Sequence, residues 1–115
     1  MDFRLALDWT PNINHIGFYV AKEKGFFKEL NIDIEIISPE TDSYKYSPAK
    51  KIELNLADLA LCPTESIISF RTKKKPFKLY ALATIFQSDI SAIAVVKSNN
   101  IKSPKDLDGR SYASY

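Results

Sequence analysis

Three short clusters hold the side chains that could do chemistry. The first follows an apolar run, Leu5-Ala6-Leu7. It carries Asp8, Trp9, Asn12 and His15, including the only tryptophan and the only histidine of the chain. The second is Cys62, Thr64, Glu65 and Ser66, and the third is Gln87, Ser88 and Asp89. Between them they offer an aromatic plane, several neutral hydrogen-bonding groups and carboxylates. Such a set suits a flat heterocycle with amino and ring-nitrogen groups, because an aromatic side chain stacks on the ring while a carboxylate accepts from its N–H groups.

Each of these residues also has a purely structural use. Trp9 can pack at a strand end, Asp8 can cap a turn, and His15 can sit just inside a helix start. Glu65 in a first helical turn complements the helix dipole by roughly 0.3–1 kcal/mol with no ligand needed. Cys62 reads as a small buried residue, having no second thiol and no adjacent base to activate it. The lysines at 73–75 read as a solvated face.

Other chemistries lack their residues. There is no glycine-rich phosphate loop. A single histidine and a single cysteine cannot make a standard zinc site, and no nucleophile elbow is present. The net charge of +2 is too small to argue for nucleic acid. No run of about 18 apolar residues is available to span a membrane.

The elements that must position these clusters follow from pattern. Residues 3–9 predict a buried first strand, stopped by Pro11, with Asn14 as the N-cap of a helix running to about Lys24. Gly25 predicts a C-cap and Phe26–Leu30 a short second helix. Asn31 to Ile37 alternates and predicts a strand. Ser47-Pro48 marks a helix start with Ile52, Leu54 and Leu56 on its apolar side. Leu59-Ala60-Leu61 predicts a short strand, and Pro63 opens a helix with Ile67, Ile68 and Phe70 inward. Segments 79–86 and 91–96 predict two further strands, 103–107 a short helix, and 110–115 the start of a last strand. Alternating strands and helices imply a mostly parallel sheet, with the loops after the strands gathered on one rim.

The chain of 115 residues is 45% hydrophobic and 26% charged, enough for one domain with one core. Met1 leads directly into a strand-like segment rather than a leader. The protein is therefore cytoplasmic if Met1 is the native start, and periplasmic or otherwise extracytoplasmic if a leader has been removed.

The run from Leu7 to Gly17, containing Asp8-Trp9-Thr10-Pro11-Asn12 and His15, and the following Tyr19 to Glu29 resemble the opening of a known group. This is the thiamin-pyrimidine group of periplasmic-binding-protein-like folds. Asn100 to Gly109 is similar to the segment that precedes the lobe crossover there. The group includes substrate-binding proteins of ABC transporters for formylaminopyrimidine-type thiamin precursors, and the thiamin pyrimidine (HMP-P) synthases.

The resemblance implies an α/β, type II binding-protein lobe, the first part of a two-lobed flytrap. Residues 1–109 would form the lobe and 110–115 the start of the crossover strand. It further implies that Asp8 and Trp9 contact a pyrimidine, that His15 lies near the site and that Glu65 can hydrogen-bond an aminopyrimidine, with an ABC permease as a possible partner; Asn12, Thr64 and Gln87, from the same clusters, complete the expected ligand-binding set. Where the synthases carry the lysine that binds pyridoxal phosphate and, four positions on, a histidine, this chain has Cys62 and Ser66. A binding role without cofactor is therefore expected. Pyridoxal phosphate and iron enter only if the chain belongs to a divergent synthase. A binding protein for another small ligand, such as a sulfonate, is the remaining alternative, although Asp8 and Glu65 would repel an anion.

Overall fold

The computed structural model describes residues 1–88 and 92–113. Its first strand, β1, runs from Asp2 to Ala6, and the chain then leaves the sheet before Trp9. A 3-10 turn at Ile13–His15 leads into α1 (Ile16–Glu23). The N-cap of this entry is Asn12 rather than the expected Asn14: the Asn14 N–H donates to Asn12 Oδ1 at 2.9 Å. The cap comes two residues early because Pro11 ends the extended segment there, leaving Asn12 as the last residue in the β region. Gly25 takes φ +80°, the left-handed conformation expected of a C-cap glycine, and α2 (Phe26–Glu29) follows.

Strand β2 (Asp33–Ile37) pairs parallel to β1, with Ala6 opposite Ile37. Ser47 caps α3 (Pro48–Glu53) by accepting from the Lys50 N–H at 3.3 Å. The helix stops at Glu53, so Leu54 and Leu56 lie beyond it and are 40% and 45% exposed. Its buried residues are instead Ala49 and Lys51. Strand β3 (Leu59–Ala60) pairs with the other side of β1, and α4 (Glu65–Thr72) starts two residues after Pro63. Ile68, expected inward on α4, is exposed.

The sheet order is β2-β1-β3, all parallel. The first strand is thus central: the chain crosses from it to β2 on one side, then returns over it to β3 on the other. The core sits on this sheet. Leu5, Leu7 and Ile34 are buried, with Phe18, Tyr19, Phe27, Ile32, Ile36, Leu59 and Leu61 packed against them. Burial of such side chains contributes about 25 cal/mol per Å² of apolar surface removed from water, and it drives the assembly of this unit.

At the opposite end of the sheet from the loops, Arg4 clamps the entry to β3. Its Nε and Nη2 donate to the two oxygens of Asp58 at 3.0 Å each, and its Nη1 donates to the Asn55 carbonyl at 3.0 Å. The Arg4 backbone N–H adds a bond to Asp58 at 2.9 Å. Those bonds, the side-chain ones first, hold the Asp58 carboxyl below the usual carboxylate range. A depressed folded-state pKa stabilises the fold above the ordinary carboxylate pKa, and the contribution disappears as pH falls through the folded value. Thermal melts from pH 6 to pH 3 are therefore expected to show falling stability below about pH 4. Asp58→Asn should flatten that fall without abolishing it, because Glu53, bonded by Lys50 and Lys73, is shifted the same way. A variant whose melting temperature follows the wild-type pH profile throughout would remove Arg4–Asp58 from the acid response.

The chain divides into two compact units, Met1–Ile85 and Phe86–Tyr115. Among the described residues, neither 79–86 nor 92–96 forms a strand; Ser91 lies outside them. The expectation failed because β-propensity reports that a segment suits a pleated surface and does not supply a ladder partner. Leu82 and Val96 are 80% and 64% exposed. Residues 110–113 likewise form no strand, and 114–115 lie outside the described residues. In the second unit the Ser-Pro start is present as a 3-10 turn, Pro104–Leu107. The Asp106 carboxylate accepts from the N–H groups of Lys102 and Ser103 at 2.8 Å each, which holds its pKa low. Among the described residues, no helix is long and apolar enough to cross a membrane.

Candidate functional site

Parallel pairing brings the carboxyl ends of all three strands to one rim. The Leu7 N–H donates to the Ile37 carbonyl at 3.0 Å and the Leu61 N–H to the Ala6 carbonyl at 2.9 Å. The register thereby extends past the strands, so Asp8, the loop after Ile37 and Cys62 leave the sheet side by side. Because the chain leaves β1 for β2 on one side and comes back from β2 to β3 on the other, the strand order reverses at β1, the kind of switch point beside which open parallel sheets form a crevice.

The first wall of that crevice is built within one loop. Asn12 is spent on structure: its amide nitrogen donates to the Thr10 carbonyl at 2.9 Å, while its oxygen accepts the Asn14 N–H. The Asn12 backbone N–H donates to His15 Nδ1 at 3.2 Å. A backbone donor aimed at Nδ1 leaves the ring proton on Nε2, which donates to Asp8 Oδ1 at 2.8 Å. His15 is 1% exposed, so its ring is enclosed and both its nitrogens are used. It acts through Asp8 rather than at the surface. The Asp8 side chain is 46% exposed, so the carboxylate held by His15 remains open at the rim. Trp9 beside it is 49% exposed.

Sequence reasoning overlooked the opposite side of Trp9's loop. Tyr44 lies on the connection after β2, its ring centroid 5.4 Å from that of Trp9 with the planes at 57°. The Tyr44 hydroxyl makes a short hydrogen bond with Thr10 Oγ1. The topology contained the signal: if the loops after the first, third and fourth strands share a rim, so does the loop after the second, and that loop carries a tyrosine. Ser43 and Tyr44 both adopt left-handed backbone, at φ 54° and 60°. For non-glycine residues this costs roughly 1–2 kcal/mol each. The loop tolerates it because Pro39–Asp42 forms a 3-10 turn and the Tyr44 N–H donates to the Pro39 carbonyl at 2.9 Å. Beneath it Asp42 is ion-paired at 3.2 Å to Lys51, which is only 3% exposed. That contact lacks hydrogen-bond geometry, and the second oxygen of Asp42 has no hydrogen-bond partner among the described residues.

On the other flank, Cys62 is half-buried in front of α4. Burial pushes its thiol above the ordinary value; a hydrogen bond with Ser66 works the other way, and the nearby Asp8 carboxylate raises it further. A thiol held protonated in this way is a poor nucleophile. Thr64 and Glu65 stand exposed at the start of α4. Gln87 is exposed in the second unit, and Asp89 lies outside the described residues. The positions that the synthase resemblance assigns to a Schiff-base lysine and a histidine thus hold a thiol and a hydroxyl bonded to each other. No amine is available there to join pyridoxal phosphate, so these residues do not fit that group.

The unit is thus a parallel α/β arrangement with an oriented carboxylate and two aromatic rings beyond the carboxyl ends of its strands. The family model described as NMT1/THI5 like matches residues 12–115, and the chain belongs to that family. It is similar to the formylaminopyrimidine-binding protein of Halalkalibacterium halodurans, 31% identical over 108 residues, covering 91% of this chain and 30% of that protein. A Haemophilus influenzae protein named for thiamine biosynthesis is 28% identical over 106 residues, covering 92% of this chain and 32% of that protein. A 4-amino-5-hydroxymethyl-2-methylpyrimidine phosphate synthase of Saccharomyces cerevisiae is 25% identical over 97 residues, covering 83% of this chain and 26% of that protein. The chain therefore spans about a third, or less, of the length of these relatives.

Proposed function

We propose that this chain is the first lobe of a two-lobed, periplasmic-binding-protein-like protein that closes over a thiamin-type aminopyrimidine. The observation that carries the reading is the Asp8 carboxylate, fixed through one oxygen by buried His15 and open at the rim beside Trp9. Trp9 supplies the stacking plane and Asp8 accepts from the exocyclic amino group. Glu65 and Thr64 extend the polar wall from the start of α4. Asn12 and His15 serve by building and aiming the wall. Closure would be a hinge motion between the two lobes. An ABC permease is the partner if the protein delivers its ligand to a transporter.

The relatives include both a binding protein and synthases. Binding is the better-supported reading, because Cys62 and Ser66 stand where the resemblance places the synthase lysine and histidine. Two carboxylates, Asp8 and Glu65, also argue against a sulfonate.

A thermal-shift series on the full-length protein tests the proposal. A 4-aminopyrimidine at 100 times its dissociation constant is expected to stabilise the fold by about 2.7 kcal/mol, whereas the 4-oxo analogue and taurine should give none. Equal shifts from the amino and oxo compounds would overturn the role of Asp8 as an acceptor of the amino group.

A further inference from the structure

We infer that Tyr44 is a specificity-determining residue of this site, a side wall that admits one aromatic ring beside Trp9 and turns away two. The inference rests on the aminopyrimidine reading and adds to it the limit on ligand size. Three observations carry it. Tyr44 is 45% exposed on the same rim as Trp9, with its plane tilted 57° to the indole at a centroid distance of 5.4 Å. That spacing is too small to admit a ring between the two side chains, since parallel stacking on both would require about 7 Å. The two rings instead make a corner: a ligand laid on Trp9 meets Tyr44 at its side.

The second observation is that Tyr44 is held rigidly. The short bond from its hydroxyl to Thr10 ties it to the loop that bears Trp9. The turn beneath is closed by the Tyr44 N–H donating to the Pro39 carbonyl, with Asp42 ion-paired to buried Lys51. A wall discriminates by size only if it does not yield, and this one is anchored from both loops.

The third is backbone conformation. Tyrosine occupies a left-handed position at φ 60°, directly after Ser43 at φ 54°, where asparagine or glycine would sit with less strain. A bulky residue kept in such a conformation at the mouth of a crevice is the pattern of a site residue, with the strain offset by the surrounding turn.

The test is calorimetric titration of the full-length protein with 4-amino-5-hydroxymethyl-2-methylpyrimidine and with adenine, which fuses a second ring to an aminopyrimidine. Wild type is expected to prefer the single ring by at least about tenfold, a preference of the size that one ill-fitting group produces. Tyr44→Ala removes the wall and should strengthen adenine about tenfold while the pyrimidine changes less than about threefold, collapsing the preference. Tyr44→Phe keeps the ring and should retain it. Tyr44→Gly, suited to the left-handed backbone at φ 60°, gives the same readout if the alanine variant does not fold. A wild type without the preference, or a preference unchanged in both Tyr44→Ala and Tyr44→Gly, overturns the role of Tyr44 and leaves the aminopyrimidine reading standing. No pyrimidine binding by wild type overturns that reading and the wall with it.

Discussion

Replacing His15 with alanine lowers the unfolding free energy by about 2–4 kcal/mol, the expected sum of a cavity the size of an imidazole and two stranded polar groups. The ring is 1% exposed, and its nitrogens join the Asn12 N–H at 3.2 Å to the Asp8 carboxylate at 2.8 Å. Removing it leaves the Asn12 donor without its acceptor at the entry to α1 and frees Asp8 to rotate. The entry turn, whose capping box needs both Asn12 and His15, loses half of that box. Urea denaturation is the measurement: the midpoint should fall while the slope stays constant. A loss below about 0.5 kcal/mol, the range of ordinary surface substitutions, would show that the ring does not hold this loop together.

Asp8→Asn is the counterpart for binding. The amide oxygen can still accept from His15 Nε2–H, so the loop should keep its shape and its stability should change little. The other arm of the side chain, however, changes from a charged acceptor to an N–H₂ donor facing the crevice. Hydrogen bonds to charged groups contribute about 1.5–3 kcal/mol, so affinity for an aminopyrimidine should fall by roughly 10- to 150-fold. The same change should favour a 4-oxo pyrimidine, whose carbonyl meets a donor. Titrating both ligands into both proteins gives the double comparison. If the variant loses affinity for the two equally, Asp8 contributes charge or shape rather than directed acceptance.

Much of the first unit was legible in the sequence because its signals are local. The period-2 alternation of 31–37, the Ser47-Pro48 start and the Gly25 stop each depend on a few adjacent residues, and the corresponding elements formed, the strand beginning two residues later, at Asp33. Longer-range decisions were not legible. Residues 79–86 and 92–96 have strand-like composition, but composition cannot name a neighbour to pair with. Lys51 is buried because α3 ends at Glu53 and Asp42 stands beneath it, neither of which its charge foretells. Within the site, Asp8 and Trp9 stood out through residue type and spacing. The Asp8–His15 bond was within reach of sequence reasoning, since both belong to one loop. Tyr44 was reachable only through the topology, because its partner lies 34 residues away and the sheet order alone joins them.

Apart from the Thr10–Tyr44 bond, the loop from Asp8 to His15 closes upon itself: its other side-chain bonds span two, three and seven residues. In folding terms this wall is a low-contact-order unit. A loop of about ten residues closes in roughly 10–100 ns, so it can assemble long before β2 delivers Tyr44. Its geometry is also portable, because almost everything that aims Asp8 travels with it on one short peptide. Grafted between a buried parallel strand and a helix of another α/β scaffold, the segment should bring its oriented carboxylate with it. In this protein the same modularity separates two kinds of variation. On the proposed reading, changes within residues 8–15 should alter what the site recognises chemically, and changes at the β2 loop how large a ligand it admits.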